Sequence, residues 1–323
     1  MEPERTADDR AAQFWLRKRV LLTGGAGFVG SAVRAALLRR GVAREDVVVP
    51  RSRSLDLRVP GNCRQAVSGC DVVIHLAAIT GGIAYARAHP ASQYRDCSLI
   101  NLNMLEVARE ARVGKFVALG NLLAYPASAP SPLVEQGLHD GPVAATHQGV
   151  GLAKRDLVAL AGMYHREYGL DAVSVLGANA YGPGDRFDPA HAHVIPATIM
   201  KCFRDEDLVA WGDGTPTRDF LYVADLAEGI LLAAEKLDAP GCVNVASGTE
   251  VSIAELVRMI AALCGFRRRI VFDPTKGSGD PRRVASTEAA TRKIGFLPRM
   301  PLAEGLRKTI DWYRSSTLES VAR

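Results

Sequence analysis

The stretch that most constrains the fold runs from Arg19 to Gly41, because it reads as a short apolar strand, a glycine-rich turn and an amphipathic helix in direct succession. Gly25, Gly27 and Gly30 fit the spacing GxGxxG, and Gly24, Gly27 and Gly30 also fit GxxGxxG. Glycine permits a tight turn here, lets the backbone approach a pyrophosphate and lets the helix lie close to the strand. The free N–H groups at the start of the helix would meet the phosphates. Ordinary strand-to-helix turns also carry glycines, but the placement of these glycines between an apolar strand and an apolar helix pattern favours dinucleotide binding.

The apolar residues beyond this turn alternate between strand and helix patterns as far as Asn179. Strands are predicted at Val47–Val49, from Asp71, from Lys115 and from Ala172, and helices around Leu99–Arg112 and Leu152–Tyr168. Strands that alternate with helices predict a parallel sheet with helices on both faces. We therefore predict an α/β protein with a Rossmann-type, doubly wound parallel sheet and a smaller C-terminal α/β lobe for the substrate.

The same pattern suggests how the chain divides. Residues 1–18 are predicted to be a charged, flexible leader, and residues 19–179 a dinucleotide-binding domain. The pattern then becomes irregular, so residues 180–315 are assigned mainly to a substrate-binding lobe. About residues 219–247 are expected to return to the first sheet, and residues 316–323 to form a tail. The substrate cleft would lie between the lobes, at the carboxyl ends of the strands.

Composition narrows the possible partners. The 323 residues include 40 Lys and Arg against 35 Asp and Glu, and the net charge of +5 is too small and too dispersed to indicate nucleic acid, although it suits an anionic small molecule. The six cysteines show neither CxxC nor metal-ligand spacing, which predicts reduced thiols and no metal site. No apolar run approaches the roughly 18 residues of a membrane span, and the first residues lack the apolar core of a signal peptide. We therefore expect a cytoplasmic protein.

The corner after the second strand bears on the choice of cofactor. An acidic residue at this corner binds a ribose 2′-hydroxyl, whereas an arginine accommodates a 2′-phosphate. Here Val49 leads into Pro50, Arg51, Ser52 and Arg53, without a carboxylate. Two solvated loop arginines are the alternative interpretation, but the sequence favours NADP(H) over NAD(H). Residues placed to cover the adenine or to line the ribose and nicotinamide are Asp56, Leu57, Leu76, Ala77, Ala78 and Thr80.

Four longer segments carry a specific resemblance to a known family. They are LAAITGGI from Leu76, NAYGPGDRFDPAHAHVIPATI from Asn179, WGDGTPTRDFLYVADLA from Trp211 and VFDPTKGSGDPRR from Val271. With the glycine turn they make residues 19 to about 313 resemble the extended short-chain dehydrogenases/reductases, the NAD-dependent epimerase/dehydratase family. Within it the chain is most similar to the GDP-L-fucose synthases, NADPH-dependent epimerase-reductases of a GDP-4-keto-6-deoxy sugar. The resemblance implies an oxidoreductase or epimerase of a nucleotide-linked sugar.

The catalytic motifs depart from this family. There, a Tyr four residues before a Lys moves the hydroxyl proton, the Lys holds the nicotinamide ribose, and a Ser at a neighbouring strand end bonds the same oxygen. Lys154 matches the Lys, but Val150 stands at the Tyr position and Asn121 at the Ser position. Leu123 stands where the fucose synthases carry an epimerisation Cys, whereas His193 matches their second epimerisation residue. The resemblance thus implies an active site without its Tyr and Ser.

The remaining polar groups at this site have alternative interpretations. The register of Lys154 with the motif implies a contact with the cofactor ribose rather than a solvated surface position. His193 is either a proton donor or a structural histidine that lines the cleft. Asn121 can donate an amide hydrogen bond to a carbonyl oxygen but cannot give up a proton. Tyr125 is interpreted mainly as a packing residue, and His147, seven residues before Lys154, could point into the cleft.

The motifs and the resemblance together assign binding residues. The predicted cofactor contacts are Gly24, Gly27, Phe28, Val29, Gly30, Arg51, Arg53, Asp56, Leu57, Leu76, Ala77, Ala78, Thr80, Lys154, Gly177 and His193. The predicted substrate contacts are Asn179, Lys201, Trp211, Arg218 and Arg283. Lysine and arginine suit a diphosphate because they donate charge-assisted hydrogen bonds, and a tryptophan can stack on a base.

Three functions remain open from the sequence. The first is an NADP(H)-dependent reductase in which His193, His147, water or a substrate group replaces the missing Tyr, since hydride transfer needs only an aligned cofactor and a polarised carbonyl. The second is an epimerase or isomerase with a structural cofactor, and the third is a catalytically silent NADP-binding module. The retained glycine turn, Lys154 and His193 favour the reductase. The resemblance also implies a homodimer paired through the helices near Leu99–Arg112 and Leu152–Tyr168.

Overall fold

A six-stranded parallel sheet forms the centre of the molecule. The computed structural model describes residues 13–189, 191–204, 206–276 and 280–321. The sheet has the order β10-β5-β4-β3-β1-β2, and its neighbouring strands pair in parallel. Its strands are β1 (Val20–Thr23), β2 (Val47–Val48), β3 (Val72–His75), β4 (Lys115–Asn121), β5 (Ala172–Gly177) and β10 (Cys242–Val245). The chain leaves β1 in one direction and returns to β3 on its other side, so the strand order reverses at β1, where doubly wound sheets bind ligands.

Helices cover both faces of this sheet. They are α1 (Phe28–Arg39), α2 (Pro60–Val67), α3 (Ile83–Ala88), α4 (Pro90–Glu110), α5 (Gln148–Tyr168) and α7 (Val223–Lys236). Alternate residues of β1 enter different cores: Val20 and Leu22 join α1 and α7, whereas Leu21 joins α2, α4 and α5. Because every residue of β1 is buried, Val20, Leu21 and Leu22 form a continuous apolar run rather than an alternating pattern, and Thr23 ends the strand. The predicted doubly wound α/β fold class is confirmed.

The second lobe is built from short strands and three helices. Its strands are β6 (Asn179–Tyr181), β7 (Leu208–Trp211), β8 (Thr217–Arg218), β9 (Phe220–Tyr222), β11 (Val251–Ser252), β12 (Ile270–Asp273) and β13 (Arg282–Arg283). Its helices are α6 (Val194–Cys202), α8 (Ile253–Cys264) and α10 (Leu302–Val321). A capping box between Ser252 and Glu255 begins α8, and Gly265 ends it in the left-handed conformation, with φ at 72°. Ile199, Ile260 and Leu306 belong to the core that joins the three helices.

Residues 219–247 connect the lobes. The strand β9 pairs with β6, whereas α7 packs on α1 and β10 extends the large sheet beside β5. The last helix before the C-terminal one, α9 (Glu288–Ile294), packs on α7 and β10. The Asp219 carboxylate accepts hydrogen bonds from the backbone N–H groups of Ser247 and Gly248, at 2.9 and 3.0 Å. Burial raises the pKa of Asp219, while these hydrogen bonds oppose the shift.

The ends of the chain and two helix starts differ from the sequence prediction. Trp15, placed in the predicted leader, is only 1% exposed and its indole N–H donates to Glu235 over 2.7 Å, because the apolar ring packs into the core behind α1 and α7. Residues 1–12 lie outside the described residues. The predicted tail from residue 316 continues α10 as far as Val321. The two long helices begin earlier than predicted, at Pro90 and Gln148, and Pro90 begins α4 because the first position of a helix tolerates proline.

Candidate active site

The glycine turn fits between β1, α1 and the loop after β3. Gly24 has φ at 68°, and a Cβ added there would lie 3.1 Å from the backbone nitrogen of Ala77. A Cβ on Gly30 would lie 2.2 Å from the carbonyl oxygen of Gly24, closer than real Cβ atoms approach. The start of α1 is therefore in direct contact with its own turn, and glycine is required where they meet. Phe28 and Val29, the first residues of α1, are half-buried.

Thr23 ties this turn to the loop that follows β3. Its hydroxyl accepts the backbone N–H groups of Leu76 and Ala77, over 3.1 and 3.2 Å, and lies 2.9 Å from Nδ1 of His75. Because two donors already use the lone pairs of this hydroxyl, its own hydrogen is donated to Nδ1. Ala78 follows half-buried and Thr80 exposed, at the rim of the same loop.

A buried chain of hydrogen bonds leads from His75 towards α5. Nε2 of His75 lies 3.1 Å from Oδ1 of Asn101, and Nδ2 of Asn101 donates to the carbonyl of Ala153 over 3.0 Å. Burial, with a smaller contribution from the charge of Lys154, lowers the pKa of His75 to about 3, so the ring is neutral and donates through Nε2. Sequence reasoning missed this network. The only signal is a histidine that ends an otherwise apolar strand.

Lys154 lies beside the carboxyl end of β4. Its side chain is only 5% exposed, and Nζ donates to the carbonyl oxygen of Leu119 over 2.6 Å. Burial lowers the pKa of Lys154 to about 8, and the nearby Cys97 opposes that shift. An ammonium has three donors. The lysine is therefore a buried cation that keeps donors for a ligand, not the solvated side chain of the alternative interpretation.

Asn121 and Val150 occupy the positions that the sequence analysis assigned to Ser and Tyr. Asn121 ends β4 opposite Gly177 of β5, and its Oδ1 accepts the N–H of Leu123 over 3.2 Å. Val150 is buried one turn before Lys154. A Cβ at Gly151 would lie 2.6 Å from the carbonyl oxygen of Leu123, so α5 is pressed against the loop after β4. Close packing thus fixes the distance between the two positions.

Arg283 reaches this loop from the second lobe. Its side chain is 4% exposed, Nε donates to Asp280 over 2.8 Å, and Nη1 donates to the carbonyl of Leu122 over 2.9 Å. Its buried Nη2 has no hydrogen-bond partner among the described residues. Arg218 lies next to it, with Nη1 donating to the carbonyls of Thr217 and Asp280. Arg283 therefore contacts the residue immediately after Asn121, and Arg218 is its neighbour on the paired strand β8.

The other predicted substrate residues lie further out in the second lobe. Trp211, at the end of β7, is 59% exposed, and Nζ of Lys201 donates to the carbonyl of Val209 over 2.6 Å. The side-chain amide of Asn179 donates to the carbonyl of Asp219 over 3.0 Å, a bond that links β6 to β9. The contacts of Lys201 and Asn179 are therefore within the protein, while the Trp211 ring is open to a ligand.

His193 lies in the second lobe, where it precedes α6 and is exposed. Burial raises the pKa of the nearby Asp185, and the charge of His193 opposes part of that rise. Tyr125 is fully buried and its hydroxyl donates to Oδ1 of Asn244 over 2.8 Å. That bond and the buried ring agree with the interpretation of Tyr125 as a packing residue.

At the predicted adenine corner the two arginines are exposed to solvent. Arg51 and Arg53 follow β2 in an exposed turn. Asp56 is bound by Arg58 at 2.6 Å, and this ion pair lowers its pKa. Leu57 is 8% exposed and packs in the core shared with α2 and α4, so its side chain faces away from a ligand at this corner.

Gly177, which was also predicted to contact the cofactor, ends β5. A Cβ on Gly177 would lie 3.1 Å from Leu226, which gives that glycine a packing role.

Comparison with known proteins fits this geometry. Residues 20–246 match the model of the NAD dependent epimerase/dehydratase family. The chain belongs to this family. It is 32% identical over 326 residues to the probable GDP-L-fucose synthase 1 of Oryza sativa subsp. japonica, covering 98% of each chain. It is 33% identical over 316 residues to the GDP-L-fucose synthase of Escherichia coli strain K12, covering 92% of this chain and 97% of the other.

A solved structure has the same architecture. The GDP-L-fucose synthetase of Naegleria fowleri, described as bound to NADP, superposes with a TM-score of 0.84 at 25% identity, over 94% of this chain and 95% of that one. The predicted resemblance and the predicted enzyme class, an extended short-chain oxidoreductase or epimerase, are confirmed. Within the described residues no helix is long and apolar enough to cross a membrane, and no cluster of three His, Cys, Asp or Glu side chains is placed to hold a metal.

Proposed function

We propose that this protein is an NADP(H)-dependent reductase of a keto group on a nucleotide-linked deoxy sugar or a related metabolite, and that it works without the Tyr and Ser acid pair. One observation carries the proposal. The buried guanidinium of Arg283 meets the loop immediately after Asn121, with Nη2 unpartnered among the described residues, so an anion-binding group from the second lobe adjoins the strand end next to Lys154. A phosphate on Arg283 would place the attached sugar at that strand end.

The residues present fit a nicotinamide dinucleotide. In the glycine turn a Cβ at Gly24 or Gly30 would meet backbone atoms, so strand, turn and helix lie as close together as a dinucleotide-binding turn requires, and Lys154 keeps donors for ribose hydroxyls. Arg51 and Arg53 are exposed at the corner where a 2′-phosphate would lie, which supports NADP(H) over NAD(H). The bound cofactor would supply a hydride. The protein positions it: Lys154 orients the ribose, and Asn121 donates an amide hydrogen bond to the keto oxygen.

This division of labour follows from the chemistry of each side chain. An amide can stabilise negative charge as it develops on oxygen, but it cannot release a proton. Val150 cannot take part in proton transfer. Because no tyrosine stands at this position, Lys154 has no phenolate to stabilise and acts on the cofactor alone. The proton must come from another group in the cleft.

The apolar Val150 also favours one other candidate function, a catalytically silent NADP-binding module. The two can be separated by supplying the missing pair. If the native protein reduces no carbonyl but the double variant Asn121→Ser with Val150→Tyr reduces a GDP-4-keto sugar, the protein is a silent module. If the native protein already reduces such a sugar, the silent module is excluded.

The test of the proposed function is binding and turnover with defined ligands. We expect NADPH to bind, a GDP-, UDP- or dTDP-linked 4-keto sugar to be reduced, and Arg283→Gln to weaken nucleotide-sugar binding about tenfold or more while NADPH affinity stays unchanged. Arg282→Gln is the matched control because Arg282 pairs with Glu250 at the surface. Thermal unfolding of both variants separates a binding effect from misfolding. Failure of every nucleotide sugar to bind the NADPH-loaded protein would exclude a nucleotide-linked substrate.

The assembly and compartment are also part of the proposal. The outer surface of α4 and α5 exposes Leu99, Leu102 and Met163, at 40%, 41% and 50%, and the groove between the two helices is lined partly by apolar side chains. An exposed apolar stripe of this kind marks an interaction surface. We assign it to a second copy of the chain, as the sequence predicted. A monomer in sedimentation analysis would contradict this assignment. For the compartment we propose the cytoplasm, which the free cysteines support.

A further inference from the structure

A histidine that is not yet assigned a role stands at the start of α5. Val150 and Lys154 lie one turn apart on one face of this helix, and His147 is its N-cap residue, with φ at −133° and therefore outside the helical conformation. An N-cap residue lies beside the first turn of its helix, and Val150 belongs to that turn. The start of the helix therefore brings an imidazole close to the position where the resemblance implies a phenol.

The surroundings of His147 point towards the substrate side of the cleft. The hydroxyl of Thr146 lies 3.1 Å from Nδ1 of the half-buried ring, and Nε2 makes no hydrogen bond within the described residues. The charged groups that act on the ring are Asp280, Arg283, Arg218 and Arg87. Arg283 and Arg218 are the pair proposed above to bind phosphate, and Arg87 comes from α3, which packs against residues 145–147. His147 thus lies at the junction between the anion site and the lysine helix.

These neighbours control whether the ring carries a proton. Burial lowers the pKa of His147, Asp280 opposes that effect, and the three arginines add to it. An anionic group bound to Arg218 and Arg283 would offset their charge and bring negative charge close to the ring. Proton uptake by the ring would then accompany substrate binding, since an opposite charge nearby favours the charged form.

We propose that His147 is the catalytic proton donor and that binding of the anionic substrate loads it with its proton. This inference rests on the proposed function. In the step, the keto carbon accepts a hydride from the reduced nicotinamide, the C=O π pair moves to oxygen, and that oxygen takes the proton from Nε2. The products are the alcohol, the oxidised nicotinamide and a neutral imidazole, which takes up a solvent proton in the next cycle. His193 stands apart, on another element and beside Asp185.

The test compares variants at three histidines by NADPH oxidation with GDP-4-keto-6-deoxymannose. We expect His147→Gln to lower kcat by about 10² to 10⁴-fold and to abolish the loss of activity with rising pH, because only the protonated ring donates. Dissociation constants for NADPH and the sugar should change less than about twofold. In His193→Asn the alkaline limb should remain, and the exposed His139→Gln serves as the control. Added imidazole should partly restore His147→Ala.

A second measurement does not depend on turnover or on the folding of a variant. In the native protein, NMR titration of the imidazole carbons, assigned with His147→Gln, should show the His147 pKa rising when GDP-mannose is added to the NADP-loaded protein. An unchanged titration, or His147→Gln with native turnover and a native pH profile, overturns the inference while leaving the proposed function intact. A native protein that binds neither NADPH nor GDP-mannose would instead overturn the proposed function.

Discussion

At the predicted cofactor end of the cleft, backbone contacts shape the site, whereas at the predicted acid–base end side chains do. A Cβ added at Gly24 or Gly30 would meet main-chain atoms, so the close contact of the turn with α1 and with the loop after β3 requires glycine. At the other end, Val150 is buried one turn before Lys154, and Asn121 ends β4 opposite Gly177. A substitution at either glycine is therefore expected to displace the backbone, whereas one at Asn121 or Val150 is expected to change mainly the chemistry available at the site.

The sharpest test of the cofactor end is Gly30→Ala. The added Cβ would meet the Gly24 carbonyl at 2.2 Å, so the turn must shift. We expect NADPH binding to weaken by about 2–3 kcal/mol, so that the NADPH dissociation constant rises about 100-fold. The melting temperature of the variant should also fall. Gly162→Ala is the matched control in α5, because its nearest neighbour would be the end of the Arg166 side chain at 3.5 Å. If Gly30→Ala bound NADPH with native affinity, the role of the glycine backbone at the cofactor end would be contradicted.

Lys154 tests the boundary between the two ends. If it only positions the cofactor, Lys154→Met should weaken NADPH binding about 10- to 100-fold by calorimetry, the value of a charge-assisted hydrogen bond. The surface variant Lys308→Met should leave the affinity unchanged. A variant that binds NADPH normally but loses turnover would instead give Lys154 an acid–base role.

The same lysine predicts a pH dependence. Burial lowers its pKa from 10.5 to about 8. Between these values the unfolded chain binds more protons than the folded one, so the free energy of unfolding of the cofactor-free protein rises with pH through that window. NADPH affinity should fall over the same window, because the ammonium loses its charge. Denaturant titrations at several pH values check the sign, and Lys154→Met should show neither trend.

Thr23 tests whether the turn depends on its hydrogen-bond network. Thr23→Val removes the acceptor used by the N–H groups of Leu76 and Ala77 and the donor to His75, while it keeps the shape of the side chain. We expect the free energy of unfolding to fall by about 1–3 kcal/mol, the cost of leaving buried donors unpaired. Thr23→Ser retains the hydroxyl and should lose less. Equal stability of the two variants would contradict a role for the network.

The smallest effect is expected at the adenine corner, where exposed side chains rather than the backbone would make the contact. NADPH should bind at least about tenfold more tightly than NADH, a difference of about 1.4 kcal/mol. Arg51→Ala with Arg53→Ala should remove the preference, whereas the nearby exposed Arg44→Ala should not. Equal affinities in the native protein would make the site indifferent to the 2′-phosphate and would contradict NADP(H) as the preferred cofactor.

Much of the fold could be predicted because its elements depend on local sequence patterns. Apolar strands, helix periodicity and the glycine turn depend on neighbours within a few residues, so the α/β class and the carboxyl-end cleft followed from them. Trp15 could not be placed, since its burial depends on a contact with Glu235, 220 residues away. Leu57 looked like part of an adenine loop, but its side chain fills the core beneath α2.

The sequence by itself determined the family, the glycine turn and the identities of Val150 and Asn121, because each is a matter of residue type at a fixed spacing. Only the tertiary structure decided that Arg283 crosses from the second lobe to Leu122, that His75 and Asn101 connect the turn to α5, and that the charges of Arg283 and Arg218 act on the His147 ring. Those arrangements join residues far apart in the chain, and their charges are set by burial. Burial and long-range contact arise only when the chain packs.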